Sequence, residues 1–79
     1  MTDVDPASVW PEDADDVDEA VVANWFVRDG ASVEEGETVA EIQIEKVSVD
    51  VPAPDSGTIE RLVEESGEFR RGDAIARID

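Results

Sequence analysis

Between Val39 and Val51 the chain reads V-A-E-I-Q-I-E-K-V-S-V-D-V, two blocks of alternating branched apolar and polar residues that are out of phase with each other. Ile42 and Ile44 occupy even positions, whereas Val47, Val49 and Val51 occupy odd ones. Successive side chains of a strand point to opposite faces, so one continuous strand would turn one of these sets into water. A two-residue turn at Glu45-Lys46 removes the conflict. Ile44 then faces Val47 and Ile42 faces Val49 on one buried side, while Gln43, Ser48 and Asp50 face solvent. The pattern therefore predicts a hairpin with Lys46 at its tip.

Alternation recurs along the chain, and no stretch keeps apolar residues at helical spacing for more than about two turns. The expected class is all-β, with strands over Ser8–Pro11, Ala20–Arg28, Thr38–Glu45, Val47–Val51, Gly57–Glu64 and Ala74–Ile78. Prolines at 52 and 54 cannot donate to a ladder, so the segment Pro52–Gly57 reads as a crossover. A shift of 36 positions lays Phe26 on Leu62, Val27 on Val63, Val33 on Phe69, Gly36 on Gly72, Val39 on Ile75, Ala40 on Ala76 and Ile42 on Ile78. This is an internal duplication, and two related halves of short strands suggest a flattened barrel or sandwich. The expected core is Phe26, Val33, Val39, Ile42, Leu62, Phe69, Ile75 and Ile78. Met1 to Ala7 reads as a loose acidic tail, with the domain running from residue 8 to 79.

Composition narrows the function. The 79 residues suit one small domain, without room for a deep catalytic cleft. There is no histidine or cysteine, which removes disulfides, thiolate or imidazole metal sites and the commonest general base. A formal charge of −16, from 22 acidic and 6 basic residues, repels polyphosphates and argues against nucleic acid as a partner. Self-repulsion on this scale suits concentrated salt, where the screening length falls to about 3 Å near 1 M, and reads as a halophilic cytoplasm. No apolar run is long enough to span a bilayer, and the N-terminus lacks signal-peptide character. The expectation is a cytoplasmic protein that does not engage membranes.

Lys46 is the only lysine in the chain, beside five arginines. It occupies a turn of unfavourable local chemistry, because tight hairpins prefer Asn-Gly, Asp-Gly or another glycine pair. A broken local rule often marks a working site. An exposed amine is protonated at neutral pH and is no nucleophile by itself, so chemistry at Lys46 requires an enzyme to acylate it. A rigid strand pair would hold such an anchor steady, and amide formation would cancel its charge.

From Val9 to Ile78 the chain resembles the biotinyl/lipoyl carrier family. The similarity is strongest over Glu41-Ile42-Gln43-Ile44-Glu45-Lys46-Val47-Ser48-Val49-Asp50-Val51-Pro52-Ala53-Pro54-Asp55-Ser56-Gly57. Trp10-Pro11, Glu19 and Trp25-Phe26-Val27 also fall at the family's spacing. Glu45-Lys46-Val47 is closer to the lipoyl tip than to the biotin one, where methionines flank the lysine. Departures are Glu45 where aspartate is usual, Ile44 where threonine or serine is usual, and Ala20 where a glycine is common. The resemblance implies two pseudo-symmetric four-stranded antiparallel sheets, the lipoyl/biotinyl barrel-sandwich hybrid. It further implies lipoic acid in amide linkage to Lys46, with Ile44, Glu45 and Val47 read by partners at the tip; biotin is the alternative group. The implied role is a swinging arm for acyl or aminomethyl groups and reducing equivalents in a 2-oxoacid dehydrogenase-type complex, with no catalysis by the domain itself. Implied partners are a lipoate-attaching ligase or transferase, a decarboxylating dehydrogenase component, an acyltransferase component and dihydrolipoamide dehydrogenase. The acidic loop Glu12 to Asp18 lies near the modified lysine in this family. A chain from Met1 to Asp79 is expected to be a freestanding monomer. The competing reading is an unmodified β-sandwich that docks another protein.

Overall fold

The computed structural model describes residues 2–79. Eight strands carry the fold: β1 (Thr2–Val4), β2 (Glu19–Trp25), β3 (Ser32–Val33), β4 (Thr38–Ile44), β5 (Val47–Pro52), β6 (Gly57–Arg61), β7 (Glu68–Arg70) and β8 (Ala76–Ile78). They form two four-stranded sheets of order β1-β8-β6-β3 and β5-β4-β2-β7, and every pairing is antiparallel. The only helical pieces among the described residues are two short 3-10 turns, Pro6–Val9 and Glu12–Ala14. None is long and apolar enough to cross a membrane.

The duplication is present down to single hydrogen bonds. Shifting β2, β3 and β4 by about 36 positions gives β6, β7 and β8, and each strand holds the place in one sheet that its counterpart holds in the other. Phe26 N donates to Val39 O at 2.9 Å, and Leu62 N donates to Ile75 O at the same length. The turn bond from Glu37 N to Glu34 O, 3.0 Å, recurs as Asp73 N to Arg70 O, 2.9 Å. The halves differ by one residue. Val22 pairs with Ile42 and Asn24 with Glu41, leaving Ala23 as a bulge, whereas Ile59, Glu60 and Arg61 pair with Ile78, Arg77 and Ala76 without interruption. One inserted residue bends β2 and locally raises its twist.

The core lies between the sheets. Val22, Val39, Ile42, Ile44, Ile59 and Ile75 are fully buried, with Val4, Val33, Val51, Phe69 and Ile78 nearly so. Each such side chain contributes on the order of 1.5–3 kcal/mol. Two residues expected in this core lie outside it: Phe26 is 57% exposed and Leu62 43%. Both follow the last residue of a strand and begin a crossover between sheets, so the alternation that buries strand residues no longer governs them.

The N-terminal segment also departs from expectation. Thr2, Asp3 and Val4, read from sequence as tail, pair with Ile78, Arg77 and Ala76. Met1 lies outside the described residues. Ser8–Pro11, expected as a strand, instead overlaps the 3-10 turn Pro6–Val9: Asp5 caps it by accepting from Ala7 N at 2.9 Å, and Pro6 supplies the preset first position. The remaining expected strands are found, ending earlier at Trp25 and Arg61 and starting later at Ala76.

Candidate functional site

Within β4 and β5, Ile44 pairs with Val47, Gln43 with Ser48, Ile42 with Val49 and Glu41 with Asp50. This is the register required by the phase change, and it leaves Glu45 and Lys46 as a two-residue loop. Glu45 has φ 53°, in the left-handed region that tight hairpin loops usually fill with glycine or asparagine. Glycine is favoured at that first loop position, and a side chain held there costs on the order of 1–2 kcal/mol. Glu45 and Ser66 are the two non-glycine residues with positive φ among those described.

Lys46 is exposed, and among the described residues its amine has no ion pair or hydrogen bond. The arginines are more committed: Arg70, Arg71 and Arg77 pair with Glu19, Asp15 and Asp3, and Arg61 lies 5.4 Å from the Trp25 ring centroid. Of the other tip residues, Glu45 is exposed, Val47 half-buried and Ile44 fully buried. Ile44 therefore supports the tip from beneath, and a partner approaching the apex meets Glu45 and Lys46 rather than the Ile44 side chain.

Gln43, expected only to face water, donates from Nε2 to the Glu45 carbonyl at 3.1 Å. The available signal was compositional, because it is the only glutamine in the chain.

Beside the tip, Glu19, Ala20, Val21, Gln43, Glu45 and Glu68 line a shallow groove of about 360 Å³. Glu19 is also the first residue after the acidic loop, which brings the loop's exit to the tip end of this sheet. Trp10 organises that loop: its Nε1 donates to the Ala14 and Val17 carbonyls, both at 3.0 Å, and its ring meets Phe69 edge-on at 6.4 Å. Arg71 closes the arrangement, donating to Asp15 O at 2.9 Å with its guanidinium 5.6 Å from the Trp10 ring centroid. No cluster of metal-binding side chains occurs among the described residues.

The family model for biotin and lipoyl domains, described as "Biotin-requiring enzyme", matches residues 9–78. This chain belongs to the biotin/lipoyl family. Over 70 residues it is 37% identical to the dihydrolipoyllysine-residue acetyltransferase component of pyruvate dehydrogenase complex from Staphylococcus aureus strain Mu50. The protein of the same name from Staphylococcus epidermidis strain ATCC 12228 is also 37% identical over 70 residues. Both matches cover 87% of this chain and 16% of the relative's length. A prosthetic group on a member of this family requires a reachable amine whose acylation leaves the fold intact. Lys46 meets that test: it is exposed, breaks no pairing when its charge is lost, and stands on the hairpin that contains the fully buried Ile42 and Ile44.

Proposed function

We propose that this chain is a lipoyl carrier domain whose prosthetic group is joined through an amide to Nζ of Lys46. The observation that carries the reading is the sole lysine of a biotin/lipoyl-family domain, exposed at the apex of the β4–β5 hairpin and without a partner among the described residues. The relatives' name, with its dihydrolipoyllysine residue, favours lipoic acid over biotin. When attached, a lipoyl group supplies a dithiolane that carries an acyl or aminomethyl group and takes up two reducing equivalents. The chain's own residues contribute position. Strands β4 and β5 fix the anchor, Glu45 and the half-buried Val47 flank it, and the acidic loop held by Trp10 and Arg71 shapes the surface beside it.

On this reading the domain is a cytoplasmic, monomeric carrier that catalyses nothing itself. It would be charged by a lipoate ligase or transferase and would visit a decarboxylating dehydrogenase component, an acyltransferase component and dihydrolipoamide dehydrogenase. Lys46→Arg provides the test. Incubation with lipoate, ATP and a lipoate–protein ligase should add one lipoyl group to the wild-type chain and none to the variant, with denaturation midpoints nearly equal. Modification of the variant, or its unfolding, would refute the assignment. The mass of the group on protein from its own host separates lipoyl from biotinyl.

A further inference from the structure

The chain's only glutamine and only lysine are three residues apart, in a sequence that places Asp or Glu at 22 of its 79 positions. The geometry explains why an amide rather than a carboxylate stands at position 43. In the two duplicated glycine turns a carboxylate closes the loop onto an amide: Glu37 accepts from Glu34 N at 3.0 Å, and Asp73 accepts from Arg70 N at 3.1 Å. At the Lys46 turn the target is a carbonyl, which needs a donor. Gln43 supplies one at 3.1 Å. A carboxylate there would set two acceptors against each other. The two glycine turns also obtain their positive φ, 89° at Gly36 and 99° at Gly72, without a side chain, whereas the tip holds Glu45 at 53°. A strained turn without glycine gains most from an added tether.

We propose that Gln43 is a positioning residue for Lys46. Its amide clamps the Glu45 carbonyl, fixes the plane of the peptide joining Glu45 to Lys46, and so presents the amine in one orientation to the enzyme that acylates it. The proposal rests on the carrier reading above and adds to it a residue whose side chain acts on the backbone of the turn.

The test compares Gln43→Leu, which has neither donor nor acceptor, with Gln43→Glu, which keeps shape and loses the donor. Two readouts are needed: backbone 15N relaxation and hydrogen exchange at Lys46 and Val47 in the unmodified chain, and kcat/KM for attachment of lipoate by a lipoate–protein ligase. Both variants should loosen the tip amides and lower kcat/KM about five-fold, the scale of one hydrogen bond, while remaining folded with a denaturation midpoint lowered by no more than about 8 °C. Wild-type rates and wild-type tip order in both variants would overturn the clamp and leave the carrier reading standing. Slow attachment to Gln43→Glu alone, with Gln43→Leu behaving as wild type, would also overturn it and assign position 43 to direct reading of charge by the ligase. A wild-type chain that the ligase leaves unmodified would remove the carrier reading and the positioning role together.

Discussion

The two halves of this protein share one pattern of strands and end it differently. In the first, β4 turns back through Glu45 and Lys46 into β5, closing an apex. In the second, β8 takes the place of β4, but its outer neighbour is β1, which comes from the other end of the sequence and pairs Thr2 with Ile78. That pairing lies away from the tip, because β5 runs from Val47 to Pro52 before the crossover reaches Gly57, and Thr58 N donates to Asp79 O at 3.2 Å. The outer faces differ as well. On the second half's sheet, Asp3, Arg77 and Glu60 stand in register, and Arg77 pairs with Asp3 at 3.5 Å. On the tip-bearing sheet, Glu41 and Asp50 face each other in one rung, and Glu68 joins Val21, Gln43 and Ser48 in another. A duplicated scaffold has thus kept its interior while one apex acquired an amine and an acidic surround. On the carrier reading, the shared interior supplies rigidity and the unshared surface supplies function.

If that interior is shared, Ile42→Ala and Ile78→Ala should behave alike, because both residues are almost completely buried at equivalent positions. Each is expected to cost about 2–5 kcal/mol in urea denaturation. A cost below about 0.5 kcal/mol at either site would break the equivalence. Gly57→Ala probes a place where the halves diverge, and should cost about 1–3 kcal/mol by overpacking. A Cβ at Gly57 would lie 2.3 Å from Asp79 O and 2.9 Å from Ile78 Cγ2, yet Ala20, which occupies the matching start of β2, carries its methyl group in a buried site. Thermal melts that leave Gly57→Ala at the wild-type midpoint would contradict the close approach. The smallest effects are expected at the exposed pair: Phe26→Ser and Leu62→Ser should each fall within about 0.5 kcal/mol of wild type. A loss of about 3 kcal/mol or more at Phe26 would return that ring to the core.

The hairpin was legible because its residues obey a period of two, and a slip by one position would expose every branched side chain at once. The duplication was legible for a related reason, since glycine turns and buried rungs recur at one spacing. Phe26 and Leu62 show where that logic stops. Their equivalence was read correctly, but apolarity one residue beyond a strand does not say which way the side chain points. β1 was missed because three residues carry almost no local pattern, and their partners at 76 to 78 are remote in sequence. The turn at Pro6 was readable from Asp5-Pro6, a cap followed by a preset φ, but Val9 and Trp10 invited a strand. The bond from Gln43 to the Glu45 carbonyl needed coordinates, since a side chain reaching its own strand's turn leaves no mark on periodicity.

The attachment at Lys46 is tested most directly by mass spectrometry of the chain isolated from its own organism, intact and after proteolysis. One lipoyl group, located on the peptide that contains Lys46, is the predicted result. A chain that carries nothing on Lys46, or carries a different group there, would contradict it.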